Sequence, residues 1–205
     1  MKSIPVLTIL VLIFVVWLQY EIRKNSGKTK SNDEEFWQKE KTANQTRRKD
    51  ITGLNYIIIS VSSLPMGDHE DDTLGSYRDT FRKMEGKKAL NLSGMTNTDL
   101  KLEYGAANLA QLMEYDNNYM ILVSMLHKWA DRLYTKGYLD EAKAVLEYGV
   151  ACLTDVPKSY RLLAAIYLKL NDLQKIDSLT EVISKAKIIE KEKLVSELTA
   201  LKNSY

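Results

Sequence analysis

The chain has one cysteine, two histidines and three prolines in 205 residues. A single Cys152 excludes an internal disulfide, on which small secreted domains depend. It lies in the apolar run Val150-Ala151-Cys152-Leu153 and reads as a small core residue rather than a catalytic thiol. One Cys and two His leave too few ligands for an ordinary zinc site, so no metal is expected. Nine Gly and three Pro exclude collagen-like and loop-dominated structures. A charge excess is also missing: 29 Lys plus Arg stand against 27 Asp plus Glu. Nucleic-acid binders carry a basic excess and acidic disordered tails the opposite, so neither is expected.

What the chain does contain is apolar material, 45% of residues, enough for one ordinary core. Its first concentration is Ile4 to Leu18, IPVLTILVLIFVVWL, followed by Tyr20. Residues 1–20 read as an uncleaved transmembrane signal-anchor helix spanning residues 4–20, with Trp17 and Tyr20 at the interface. The flank Leu18-Gln19-Tyr20-Glu21 offers no small-residue cleavage site. Arg23, Lys24, Lys28 and Lys30 follow the span and only Lys2 precedes it. The positive-inside rule then gives a single-pass membrane protein with a cytoplasmic C-terminal domain. On that orientation the glycosylation patterns at Asn44 and Asn91 are chance matches.

Residues 21–31 read as a basic polar tether. Residues 32–118 read as a helical cap region, beginning with acid-rich first turns at Asp33-Glu34-Glu35 and running to the basic triplet Arg47-Arg48-Lys49. An apolar segment near 54–65 interrupts it, either extended and packed on helices or made helical by its context. This segment is rich in β-branched residues, yet no second such run is present to pair with it. Met66 to Asp72 reads as a solvated acidic loop, with Asp71 or Asp72 capping a helix that carries Leu74, Tyr77, Phe81 and Met84. A further helix, capped at Asn97 or Thr98, is expected to run from Leu100 through Leu112. In it Gly105-Ala106-Ala107 would form a small face for close approach.

From Tyr119 onward an internal offset of 34 residues relates Leu126 to Tyr160, Trp129 to Leu163, Ala130 to Ala164, Leu133 to Tyr167 and Gly137 to Asn171. That period is the length of a tetratricopeptide repeat, a helix–turn–helix unit. The first unit resembles this family at Leu126, Trp129, Ala130, Leu133, Gly137, Tyr138, Ala142 and Leu146. The second matches less well, with Ile176 where a small residue is expected. Residues 119–187 read as two such repeats. Residues 188–205 read as a C-terminal capping helix carrying Leu194, Leu198 and Leu201. The expected fold is therefore all-α: an N-terminal transmembrane helix, an irregular cap and a TPR-like domain.

No phosphate-binding Gly loop, zincin motif or nucleophile elbow occurs in the sequence, so no enzymatic activity, cofactor or small-molecule substrate is expected. In the resembling family, first helices line a concave surface that holds peptides. Carried over by register, the exposed first-helix positions are His127, Asp131, Tyr134, Lys158, Arg161 and Lys169. Four of these can carry positive charge, which suits a carboxylate or an acidic segment. The resemblance thus implies a membrane-tethered adaptor for a protein or peptide partner. The alternative is a structural or assembly subunit of a membrane protein complex.

Overall fold

The computed structural model describes residues 6–186 and 188–203. Within them the regular structure is α-helix and one 3-10 turn, apart from one two-stranded ladder, and irregular segments join these elements. The chain divides into two compact units. The first comprises residues 1–52 and 94–110, the second residues 53–93 and 111–205.

In the first unit one helix, α1 (Val6–Gln45), runs for 40 residues. The expected polar tether and the expected helix start at Asp33 both lie inside it. The expected membrane span is corrected: among the described residues no helix is long and apolar enough to cross a membrane. Its described apolar run, residues 6–18, ends at Gln19, Glu21, Arg23 and Lys24. The expected single-pass location and cytoplasmic orientation rested on that span and lose their basis with it. Residues 4 and 5 of the span lie outside the described residues.

The C-terminal part of α1 is held by α3 (Asn97–Tyr104). Lys39 Nζ donates to Asp99 at 2.7 Å, Thr98 donates to Glu40 at 2.7 Å, and Lys101 pairs with Glu40. α3 opens on a capping box: the Thr96 side chain accepts from the Asp99 N–H, and Asp99 accepts from the Thr96 N–H. It does not continue to Leu112. Gly105 stands at φ 91 and breaks it, and a 3-10 turn (Ala106–Asn108) follows. The break exists because the chain at Arg47 and Arg48 lies against Gly105, where a Cβ would be 2.7 Å from the Arg48 Cα. Asn108 is fully buried and donates to the carbonyls of Lys49 (2.8 Å) and Tyr104 (2.7 Å), while Arg48 Nε donates to its side-chain oxygen. The basic triplet is exposed, as expected of a solvated helix end, but it follows the last helical residue, Gln45, and Arg48 is tied to Asn108.

In the second unit the apolar segment after Leu54 is partly extended. β1 (Ile57–Ile58) pairs antiparallel with β2 (Lys88–Ala89), in register Ile57 to Ala89. The expectation of an unpaired strand is corrected. Its partner carries no β-branched signal, because pairing is decided by where the chain returns after α2 (Asp72–Met84). Asp71 caps α2 as expected: its Oδ1 accepts from the N–H groups of Thr73 (3.0 Å) and Leu74 (3.1 Å). Its Oδ2 accepts from Arg132 Nε (3.1 Å) and Nη2 (2.7 Å). Arg132 is the main reason that the Asp71 carboxyl lies well below the usual carboxylate range. A depressed folded-state pKa gives stability that is present above the ordinary value of about 3.9 and lost as pH falls below it. Wild-type Tm should therefore drop below pH 4 more steeply than that of Asp71→Asn, which keeps a cap but no charge. Parallel Tm profiles between pH 3 and 7 would count against this coupling.

The helical array follows: α4 (Leu109–Thr135), α5 (Leu139–Ala151), α6 (Pro157–Lys169), α7 (Leu173–Lys185) and α8 (Lys191–Asn203). The 34-residue offset recurs in backbone geometry. At the end of α4 the Tyr138 N–H donates to the Leu133 carbonyl and Gly137 N–H to that of Tyr134. At the end of α6 the Asp172 N–H donates to Tyr167 and Asn171 N–H to Leu168. Gly137 (φ 87) and Asn171 (φ 57) both adopt the left-handed conformation that this cap requires. Pro157 sits at the first turn of α6, where its missing N–H costs nothing. Trp129, Leu133, Ala130 and their offset partners Leu163, Tyr167 and Ala164 are all buried.

Candidate functional site

Two cross-helix contacts set the direction of α4 and α6. The hydroxyl of Ser159 lies 3.3 Å from His127 Nδ1, and Lys169 Nζ lies 4.4 Å from the centre of the Tyr134 ring. Advancing from 127 to 134 on α4 matches advancing from 159 to 169 on α6. The two helices therefore run side by side and parallel, with α5 as the crossover. α8 packs on both α6 and α7. It is antiparallel to α7, since Lys202 pairs with Asp177 while Lys191 reaches the Ser184 carbonyl.

Five of the six expected binding residues come together on this pair. His127, Asp131 and Lys158 form one end. His127 is half-buried, and Asp131 and Lys158 are exposed beside it. Tyr134 and Lys169 form the other end, with the ammonium over the ring face. Such contacts contribute about 0.5–1 kcal/mol at exposed sites. Burial holds the His127 imidazole below its ordinary pKa. Asp131 pulls it up and Lys158 pushes it further down.

Arg161 is placed differently. Its Nε donates to Glu197 Oε2 of α8 at 2.8 Å, so it is engaged within the chain rather than left open on the α4–α6 face. Ser159 belongs to the site and was not anticipated from sequence, nor was Glu197, which engages Arg161. The spacing carried a faint signal for Glu197: it follows Arg161 by 36 residues, close to one repeat, so α8 stands where a further first helix would stand.

Other reactive side chains lie elsewhere in the second unit. Cys152 is buried, and burial pushes its thiol up to about 11, so it is a protonated core residue at neutral pH. His69 is not solvated as expected: its side chain is 8% exposed, its Nε2 lies 3.0 Å from Glu141 Oε2, and its ring packs edge-on against Tyr138. Among the described residues no cluster of three or more His, Cys, Asp or Glu is placed to hold a metal ion. A cleft of about 240 Å³ between α5, α6 and α7 is lined by Leu163, Leu179, Glu147, Tyr167 and Lys175. It is smaller than the range of about 300–1,000 Å³ usual for small-molecule sites. Its Glu147 is already engaged by the Tyr167 hydroxyl (2.8 Å) and by Lys175 (3.3 Å).

No protein-family model matches the chain, and neither a curated protein nor a solved structure matches it.

Proposed function

We propose that this chain is a non-catalytic helical-repeat adaptor, resembling the tetratricopeptide repeats, that receives an acidic segment of a partner protein on the face formed by α4 and α6. The observation that carries the reading is the parallel placement of these helices, which sets His127 and Lys158 at one end of a shared face and Lys169 at the other. The repeated cap geometry at Gly137 and Asn171 supports the same reading. Lys and Arg on a rigid helical face recognise carboxylates through charge-assisted hydrogen bonds.

The test is selection from a displayed random-peptide library, repeated with a Lys158→Glu, Lys169→Glu double variant of unchanged Tm. Acidic peptides should be enriched by the wild type and bound at least about tenfold more weakly by the double variant. Enrichment of neutral or basic peptides, or equal binding by the double variant, would sink the proposal.

One observation favours a second reading, an assembly subunit. Ile9 to Leu18 on α1 are each 41% to 66% exposed. A helix segment that is apolar on every side is ordinarily covered by other apolar groups.

A further inference from the structure

We propose that acid binding on the α4–α6 face is linked to a proton: a carboxylate seated between Lys158 and His127 is held more tightly as the solution is acidified, because His127 becomes its second cationic donor. This rests on the reading of that face as an acid-binding surface and names its regulation.

The geometry supplies each part. His127 belongs to a rigid helix, and its Nδ1 is within 3.3 Å of the buried Ser159 hydroxyl. That contact fixes the ring across the seam and commits one nitrogen, so Nε2 is the nitrogen left to address a ligand. The charges coupled to the ring are Asp131 on its own helix and Lys158 on α6. Arg161 on α6 is occupied by Glu197. Without a ligand, partial burial and Lys158 both favour the neutral imidazole, opposed by Asp131. An incoming carboxylate reverses that balance, since an opposite charge within about 4–6 Å favours the charged form.

The sign follows from linkage. If the ligand raises the histidine's proton affinity, protons raise the affinity for the ligand by the same factor. Binding strengthens as pH falls through the histidine range and levels off once the free histidine is itself protonated. Each unit by which the ligand raises the His127 pKa is worth tenfold in affinity. Aspartate and glutamate side chains ionise near pH 4, so an acidic probe keeps its charge throughout.

The probe is acetylated hexaglutamate, titrated into the full chain at pH 5.5, 6.5 and 8.0 by calorimetry. Wild-type affinity should rise about tenfold from pH 8.0 to 5.5, and His127→Gln should bind with a flat profile. Ring-proton NMR of the wild type, with His127 told apart from His69 by through-bond assignment, should show its titration move to higher pH when peptide is added. That measurement does not depend on the variant folding. A wild-type affinity independent of pH, a His127→Gln profile as steep as the wild type's, or an unmoved His127 titration overturns the proton linkage while leaving acid binding standing. Absence of binding at every pH overturns the acid-binding reading itself, and the linkage with it.

Discussion

Trp129→Ala is expected to destabilise the second unit by about 3–5 kcal/mol, the range for removing a large aromatic from a packed core. Trp129 is 1% exposed and lies with its ring centre 5.3 Å from that of Phe81 on α2. It therefore joins the first helix of the repeat region to the elements before it. Its neighbours cannot collapse into the space. Leu126 and Leu133 flank it on α4 with their side chains already buried, and Leu163 is fixed on α6. Because a domain of this size is stable by only about 5–15 kcal/mol, a loss of this size is a large share of the total. Urea denaturation is the measurement, with the midpoint falling and the slope unchanged. Since α4 also carries His127, Asp131 and Tyr134, peptide capture should fall with the folded fraction. A change below 1 kcal/mol would show that Trp129 is not the keystone that its burial implies.

Gly105→Ala should be the most damaging single-methyl change in the first unit, at about 3–4 kcal/mol. Two penalties add. The residue stands at φ 91, where an L side chain is strained. A methyl there would also collide with the Arg47 carbonyl oxygen and come within 2.7 Å of the Arg48 Cα. Both obstacles are backbone, so no rotamer change relieves them. The expected result is local opening of residues 46–50 and 104–108, whose mutual hydrogen bonds run from Lys49 N–H to Tyr104 and from Asn108 to Lys49. Arg47, Arg48 and Lys49 are trypsin sites, so limited proteolysis reads the opening directly. Cleavage should accelerate by about a hundredfold or more, since each 1.4 kcal/mol is tenfold in the open population. Gly94→Ala is the control. It has a similar φ of 86 but no atom within 4 Å of its Cβ, so it bears only the conformational cost, about 1 kcal/mol. Equal cleavage of the two variants would mean that the close approach at Arg47 carries no energy.

The division between sequence and tertiary structure follows the range of the interactions. α2 is legible because Leu74, Phe81 and Met84 recur at helical spacing and Asp71 supplies the cap, all within fourteen residues. The caps at Gly137 and Asn171 are legible because a left-handed residue at a helix end is a local demand of the backbone, and the offset of 34 repeats it. The pairing of His127 with α6 is legible in outline for the same reason: register within a repeat places first helices side by side.

What sequence alone leaves open depends on residues far apart in the chain. β2 has no strand signal, because Lys88 and Ala89 are extended only by pairing with Ile58 and Ile57 some thirty residues earlier. The break at Gly105 answers to Arg47, nearly sixty residues away, and reads locally as one more small residue in a helix. Arg161 looks available until α8 brings Glu197 to it. The apolar run at the start of the chain suggests a span, yet among the described residues no helix is long and apolar enough to cross a membrane. Local backbone chemistry and periodicity thus determined α2 with its Asp71 cap and the helix ends at Gly137 and Asn171. Long-range packing alone decided which strand found a partner, which helix had to stop and which cation met a carboxylate of the same chain, because a side chain's partner is set by the fold's geometry and not by its neighbours in sequence.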